Sequence, residues 1–166
     1  MNVIITGSTG MVGSILLDLC RQSSQISKVT TLIRKQNSIE QNEKINTVVI
    51  KDFKTYDYHL EFFQNADVVF FCLGVYTGQV PKDLFKEITV DYAVNCAKLL
   101  AEQNPKARFC LLSGAGADRT EKSRTAFAKF KGMAENQISE TNLEFYSFRP
   151  GYIYPVEPRE EPSFMY

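Results

Sequence analysis

The sequence predicts an α/β fold, a doubly wound parallel sheet with helices on both faces, and three observations predict it. Short apolar runs rich in β-branched residues alternate with longer segments of helical period, as crossover units in a parallel sheet require. The run Asp67-Val68-Val69-Phe70-Phe71-Cys72-Leu73 shows no polar alternation, which fits a central strand covered on both faces. A glycine-rich turn, Gly7 to Gly13, follows the first strand-like run and opens a helical one. With 166 residues and 44% hydrophobic content, the chain is long enough for one buried core and too short for two ordinary domains.

Taken in order, the first strand is Val3 to Thr6 and the first helix Gly10 to Gln22. The second strand, Val29 to Ile33, stops at the basic pair Arg34-Lys35, and the third, Thr47 to Lys51, is closed by Asp52-Phe53. A short helix over Tyr58 to Gln64 precedes the central strand Asp67 to Leu73, which ends at Gly74. The next helix, Pro81 to Gln103, carries an apolar stripe of Leu84, Ile88, Ala93, Cys96, Ala97 and Leu100. The fifth strand, Arg108 to Leu112, leads into Ser113, and a helix over Glu121 to Glu140 follows. The sixth, Glu144 to Phe148, runs into Arg149-Pro150-Gly151-Tyr152. Six strands suffice for two mononucleotide-binding halves, the Rossmann arrangement. The domain so defined covers residues 1–155. Residues 156–166, with Pro158, Pro162 and the charges Glu157, Arg159, Glu160 and Glu161, read as an extended C-terminal segment, the start of a substrate-binding region not otherwise present.

Nineteen basic and nineteen acidic residues give a formal charge of zero, so no footprint for nucleic acid or an anionic membrane is expected. The longest apolar run, Ala66 to Tyr76, is interrupted by Asp67 and Gly74 and falls short of the roughly 20 residues of a membrane helix. No basic, cleavable leader precedes the glycine turn, and a cytoplasmic location is the expectation. Cys20, Cys72, Cys96 and Cys110 are widely spaced in apolar stretches and read as inert buried thiols. His59 is the single histidine, so a site needing two imidazoles is excluded and no metal is expected.

The chemistry concentrates at Gly7-Ser8-Thr9-Gly10-Met11-Val12-Gly13. Gly7 permits the tight turn, Gly10 lets the backbone approach a pyrophosphate, and Gly13 lets the helix pack closely. The helix N-terminus adds N–H donors and a positive dipole end. Ser8 and Thr9 can cap that helix or donate to phosphate. At the end of the second strand an acidic residue would take the 2′-hydroxyl of NAD, whereas a cation takes the 2′-phosphate of NADP. Arg34 and Lys35 stand there, so NADP(H) is the preferred cofactor and NAD(H) the alternative.

The turn Thr6 to Gly13 resembles that of extended and atypical short-chain dehydrogenases/reductases, and the similarity runs from residue 1 to about residue 155. It is most similar to the HTATIP2/TIP30-like group through Leu111 to Asp118 and Phe148 to Gly151. The resemblance implies that Asp52-Phe53 lies against the adenine, that Leu73 and Gly74 end the fourth strand at the cofactor, and that Pro150 and Gly151 border the nicotinamide. It also implies a Tyr-x-x-x-Lys pair, in which the lysine holds the nicotinamide ribose and the tyrosine moves the substrate proton. Lys131 fills the lysine position, but Phe127 stands four residues before it and Gly114 follows Ser113 where related chains often carry a second serine. Two readings follow. Either hydride transfer to a small carbonyl proceeds with Lys131 at the ribose and Ser113, Tyr152, Tyr76 or a water serving the proton, or the domain binds NADP(H) as a sensor or partner-binding module without chemistry. On the first reading Phe127→Tyr restores a proton donor beside Lys131. The substrate lies beyond sequence reasoning, because extended members build that pocket after the sixth strand and only Tyr152 to Tyr166 remain here.

Overall fold

The computed structural model describes residues 1–35, 39, 41–56 and 60–154. His59 and the segment from Pro155 onward lie outside the described residues. The elements run β1 (Asn2–Thr6), α1 (Met11–Gln22), β2 (Lys28–Ile33), β3 (Ile45–Val49), α2 (Leu60–Gln64), β4 (Val68–Phe71), α3 (Lys82–Lys86), α4 (Tyr92–Gln103), β5 (Arg108–Leu112), α5 (Ala126–Ser139) and β6 (Glu144–Phe148). They form one six-stranded sheet in the order β3-β2-β1-β4-β5-β6, and every pairing is parallel. This is the doubly wound order expected from the sequence. The run at Val68–Phe71 is a central strand, paired with β1 on one side and β5 on the other. The strand order reverses between β1 and β4, and ligands bind at the C-terminal ends of the strands flanking such a switch.

Apolar side chains from alternate strand positions fill both faces. The larger cluster buries Phe53, Phe63, Phe71, Phe109, Leu100 and Ile138, and the smaller places Leu17 and Cys20 of α1 on Val3, Ile5, Val29 and Val68. Each full burial of such a side chain contributes about 1.5–3 kcal/mol. On β6 the outward residues Tyr146 and Phe148 stay 44% and 54% exposed. Among the described residues no helix is long and apolar enough to cross a membrane.

Three local expectations are corrected. The third strand begins two residues earlier than predicted, because Asn42 Oδ1 accepts from the backbone N–H groups of Lys44 and Ile45 at 2.9 Å and sets Ile45 opposite Val29. The long helix Pro81 to Gln103 contains a widened π turn at Glu87–Asp91 between α3 and α4. The Lys54–Glu87 pair at 2.8 Å and the Tyr92 hydroxyl, donating to Glu87 Oε1 at 3.0 Å, brace that turn. The helix predicted from Glu121 starts only at Ala126. There the Asp118 carboxylate accepts from Thr120 N–H at 2.9 Å and Ser123 N–H at 2.7 Å, and Glu121 takes a φ of 60°. Such side-chain bonds give the backbone an alternative to the helical ladder.

Candidate cofactor site

The turn after β1 is held by backbone contact so close that only glycine fits at two places. Gly7 has a φ of 70°, and a Cβ on it would lie 2.7 Å from the carbonyl of Cys72 and from Leu73 N. At Gly13 a Cβ would lie 2.1 Å from Gly7 O, so α1 is pressed onto the turn itself. Gly10 differs, because a Cβ there would meet only Gly7 O, at 3.3 Å. Its glycine leaves open the approach to the N-terminus of α1, which no side chain caps. First-turn N–H groups have no partner within their helix, so those of Met11 and Val12 are placed for an anion.

A cleft of about 630 Å³ opens over this turn, lined by Gly7, Thr9, Gly10, Leu32, Ile33, Arg34, Lys35, Lys51, Cys72, Leu73 and Gly74. Seven residues expected from the sequence thus meet in one place: Gly7, Thr9, Gly10, Arg34, Lys35, Leu73 and Gly74. Ser8 is buried and does not line it, and the hydroxyls of Ser8 and Thr6 find no partner among the described residues. Phe53 is also buried, stacked on Tyr92 at 5.9 Å, so its ring belongs to the core. Asp52 is exposed and accepts from Lys54 N–H at 2.8 Å in its own turn. Sequence reasoning missed Lys51, which leaves β3 beside Arg34 and Lys35, and Cys72. Burial raises the Cys72 thiol to about 12, with the nearby Lys131 charge opposing, so the thiol is protonated at neutral pH.

A second group sits at the ends of β5 and β6. Ser113 N–H donates to Phe148 O at 2.8 Å and Ala115 N–H to Pro150 O at 2.9 Å, tying the two strand ends together. Lys131 Nζ donates to Leu112 O at 2.9 Å. Burial lowers its pKa from 10.5 to about 8, with Glu135 and Cys72 opposing, so it still carries its charge at pH 7. The folded protein therefore sheds this proton near pH 8 and the unfolded chain only near 10.5, and this group adds stability as pH rises through that window.

Glu135, one turn beyond Lys131, is 1% exposed and was not anticipated. Its carboxylate accepts from Ser113 Oγ at 2.6 Å, Ser147 Oγ at 2.7 Å and Arg149 Nε at 2.9 Å, and a second Arg149 nitrogen reaches its other oxygen. Burial alone would raise its pKa, but the hydrogen bonds from Arg149, Ser113 and Ser147 outweigh that and lower it. The i, i+4 spacing from Lys131 and the arginine after β6 were the available signals. The Ser113 hydroxyl is thereby committed to Glu135, and Tyr152 is 48% exposed, edge-on to Tyr154 at 4.6 Å.

Phe127 packs against Gly114. A Cβ at Gly114 would meet Phe127 Cζ at 2.5 Å and the two Cε atoms at 3.3 and 3.5 Å, so the ring points at that position tip first. A hydroxyl on Cζ would run into the Gly114 backbone, which changes the expectation for Phe127→Tyr. This variant is expected to lose about 1–3 kcal/mol of stability and to gain no activity. Melting curves with NADPH oxidation on a carbonyl panel check this, and a gain in turnover at unchanged melting temperature would refute the packing.

Fold and cleft together define a dinucleotide-binding Rossmann domain. The chain belongs to the NAD(P)H-binding family, which it matches over residues 7–163, and with it to the atypical short-chain dehydrogenase/reductase group. Protein HTATIP2 of Rattus norvegicus is 32% identical over 155 residues, covering 92% of this chain and 62% of that protein. The mitochondrial protein FMP52 of Saccharomyces cerevisiae is 27% identical over 156 residues, covering 91% and 65%. The chain thus spans somewhat under two thirds of the length of these relatives. Among solved structures, Bordetella bronchiseptica WbmH in complex with NAD+ superposes with a TM-score of 0.73 at 16% identity, covering 90% of this chain and 55% of its own. The UDP-glucuronic acid 4-epimerase of Bacillus cereus, in complex with NAD, gives 0.72 at 15%, covering 90% and 56%. At that identity they speak for the fold.

Proposed function

We propose that the chain binds NADP(H) in the cleft over Gly7 and Gly10, with the pyrophosphate at the N-terminus of α1 and the 2′-phosphate at the ends of β2 and β3. The observation that carries this reading is the lining of the cleft. It joins a turn into which a Gly7 side chain would not fit to a rim of Arg34, Lys35 and Lys51, and among the described residues none that lines it is acidic. A carboxylate at that rim would favour the 2′-hydroxyl of NAD, whereas the described lining offers three cations, which favour the phosphorylated cofactor. When bound, the nicotinamide supplies or accepts hydride. Lys131, beside Leu112 O and near Cys72, would hold the ribose at that end.

NADPH at about 100 times its Kd would stabilise the fold by about 2.7 kcal/mol, roughly 5–10 °C for a domain of this size. Gly10→Val puts a branched side chain where the phosphate approaches and is expected to abolish that shift while the unliganded protein stays folded. An undiminished shift in the variant would place the cofactor elsewhere.

A second reading, hydride exchange with a small carbonyl or alcohol, is favoured by Lys131. A buried ammonium with a pKa of about 8 lies near the range where a general acid works at neutral pH. Against it stand Phe127 and the Ser113 hydroxyl bound to Glu135. Consumption of NADPH with any aldehyde, ketone or quinone would establish that reading. A flat trace across the panel, with cofactor bound, leaves a domain that holds NADP(H) without turning it over.

A further inference from the structure

Lys51 stands one residue before the Asp52 that the family resemblance singles out, and nothing in the sequence marks it. The sheet gives it a role. β2 and β3 pair in register up to Ile33 and Val49, and Ile50 N–H donates to Ile33 O at 2.7 Å, so the two chains leave the sheet side by side. Arg34 and Lys35 follow one strand, Lys51 the other, and all three line the same cleft.

Their electrostatic setting differs from that of the surface cations held in ion pairs. Lys54, Lys86 and Arg108 are paired with Glu87, Asp91 and Glu144 at 2.8, 3.0 and 2.7 Å. Arg34, Lys35 and Lys51 make no ion pair among the described residues. The carboxylate that follows Lys51 in sequence, Asp52, accepts from Lys54 N–H at 2.8 Å in its own turn. Three cations at one rim, none of them in an ion pair among the described residues, repel one another, and that repulsion is relieved by an anion of about two charges, such as a phosphate monoester.

We propose that Lys51 is a specificity-determining residue, which joins Arg34 and Lys35 in holding the 2′-phosphate and so selects NADP(H) over NAD(H). The proposal rests on the cofactor reading above and adds to it a contact from the third strand. An ammonium on a flexible stem serves here as a point charge, complementing the planar fork of Arg34. The contact is open to solvent, so it weakens with salt.

The test compares wild type, Lys51→Ala and Lys51→Arg by calorimetric titration with NADPH, NADH and 2′,5′-ADP at low and at physiological ionic strength, with melting temperatures alongside. Lys51→Ala is expected to raise the Kd for NADPH and 2′,5′-ADP about tenfold at low salt, equivalent to about 1.4 kcal/mol. The Kd for NADH should change less than about twofold, Lys51→Arg should retain most of the affinity, and the penalty should shrink as salt rises. Equal losses for NADPH and NADH, or no loss for either, would overturn the assignment of Lys51 while leaving the cofactor site standing. Failure of the wild type to bind any of the three ligands would remove the cofactor reading itself.

Discussion

Replacing Gly132 with alanine is expected to lower the melting temperature by about 6–12 °C, the equivalent of about 3 kcal/mol in a domain of this size. A Cβ at Gly132 would lie 1.9 Å from Asp118 O, 2.2 Å from its carbonyl carbon and 2.7 Å from Arg119 N. All three are backbone atoms, and the loop that carries them is fixed. Asp118 N–H donates to Ala128 O at 2.9 Å, and Asn136 Nδ2 donates to Arg119 O at 2.8 Å. Helix propensity acts in the opposite direction, since alanine is better than glycine in a helix interior by about 1 kcal/mol. The clash is the larger effect, because either α5 or the loop must move to relieve it. Such a shift would carry Lys131, its immediate neighbour, away from Leu112 O, so stabilisation by NADPH should fall in the same variant. Thermal melts of wild type and Gly132→Ala with and without NADPH measure both effects. A melting temperature that rises would mean the loop yields without cost.

Arg149→Leu should destabilise the fold at pH 7 by about 2–3 kcal/mol. Removing one partner of a fully buried pair typically costs about 3–5 kcal/mol. The lower figure applies because Arg149 is 41% exposed, so water can enter beside Glu135, and because Ser113 and Ser147 still donate to the carboxylate. The pH dependence separates this cause from lost packing. In the wild type Glu135 titrates below its ordinary value of 4.5, so its stabilising contribution is present above that value and is lost as pH falls through the folded pKa. Without Arg149 its hydrogen bond and its charge no longer oppose burial, so the carboxyl titrates higher than in the wild type and protonation relieves the variant before the wild type. The gap in stability between the two proteins should therefore narrow from pH 7 to pH 4, as denaturant melts at each pH would measure. A gap that stays constant would assign the loss to packing.

Much of the fold was legible in the sequence because its determinants are local. An unbroken apolar run such as Val68–Phe71 signals burial on both faces, and the β5 and β6 boundaries follow from their own residues. The errors arose where a local rule met a competing contact. A helical pattern from Glu121 was overridden by the Asp118 carboxylate, and Phe53, read as a neighbour of the adenine, was drawn into the core beside Tyr56 and Tyr92.

By itself, then, the sequence determined the strand–turn–helix from which a phosphate site is expected, since glycine at position 7 permits the φ of 70° that the turn takes and the first turn of α1 leaves N–H groups open. It also determined the cations that follow β2 and the missing hydroxyl at Phe127. Only the tertiary structure decided that Lys51 shares a rim with Arg34, that Glu135 gathers Ser113, Ser147 and Arg149, and that Phe127 fills the space over Gly114. Each of these contacts joins residues at least 12 positions apart. Sheet register and the docking of α5 bring them within ångströms, and neither is written in the periodicity of any one segment.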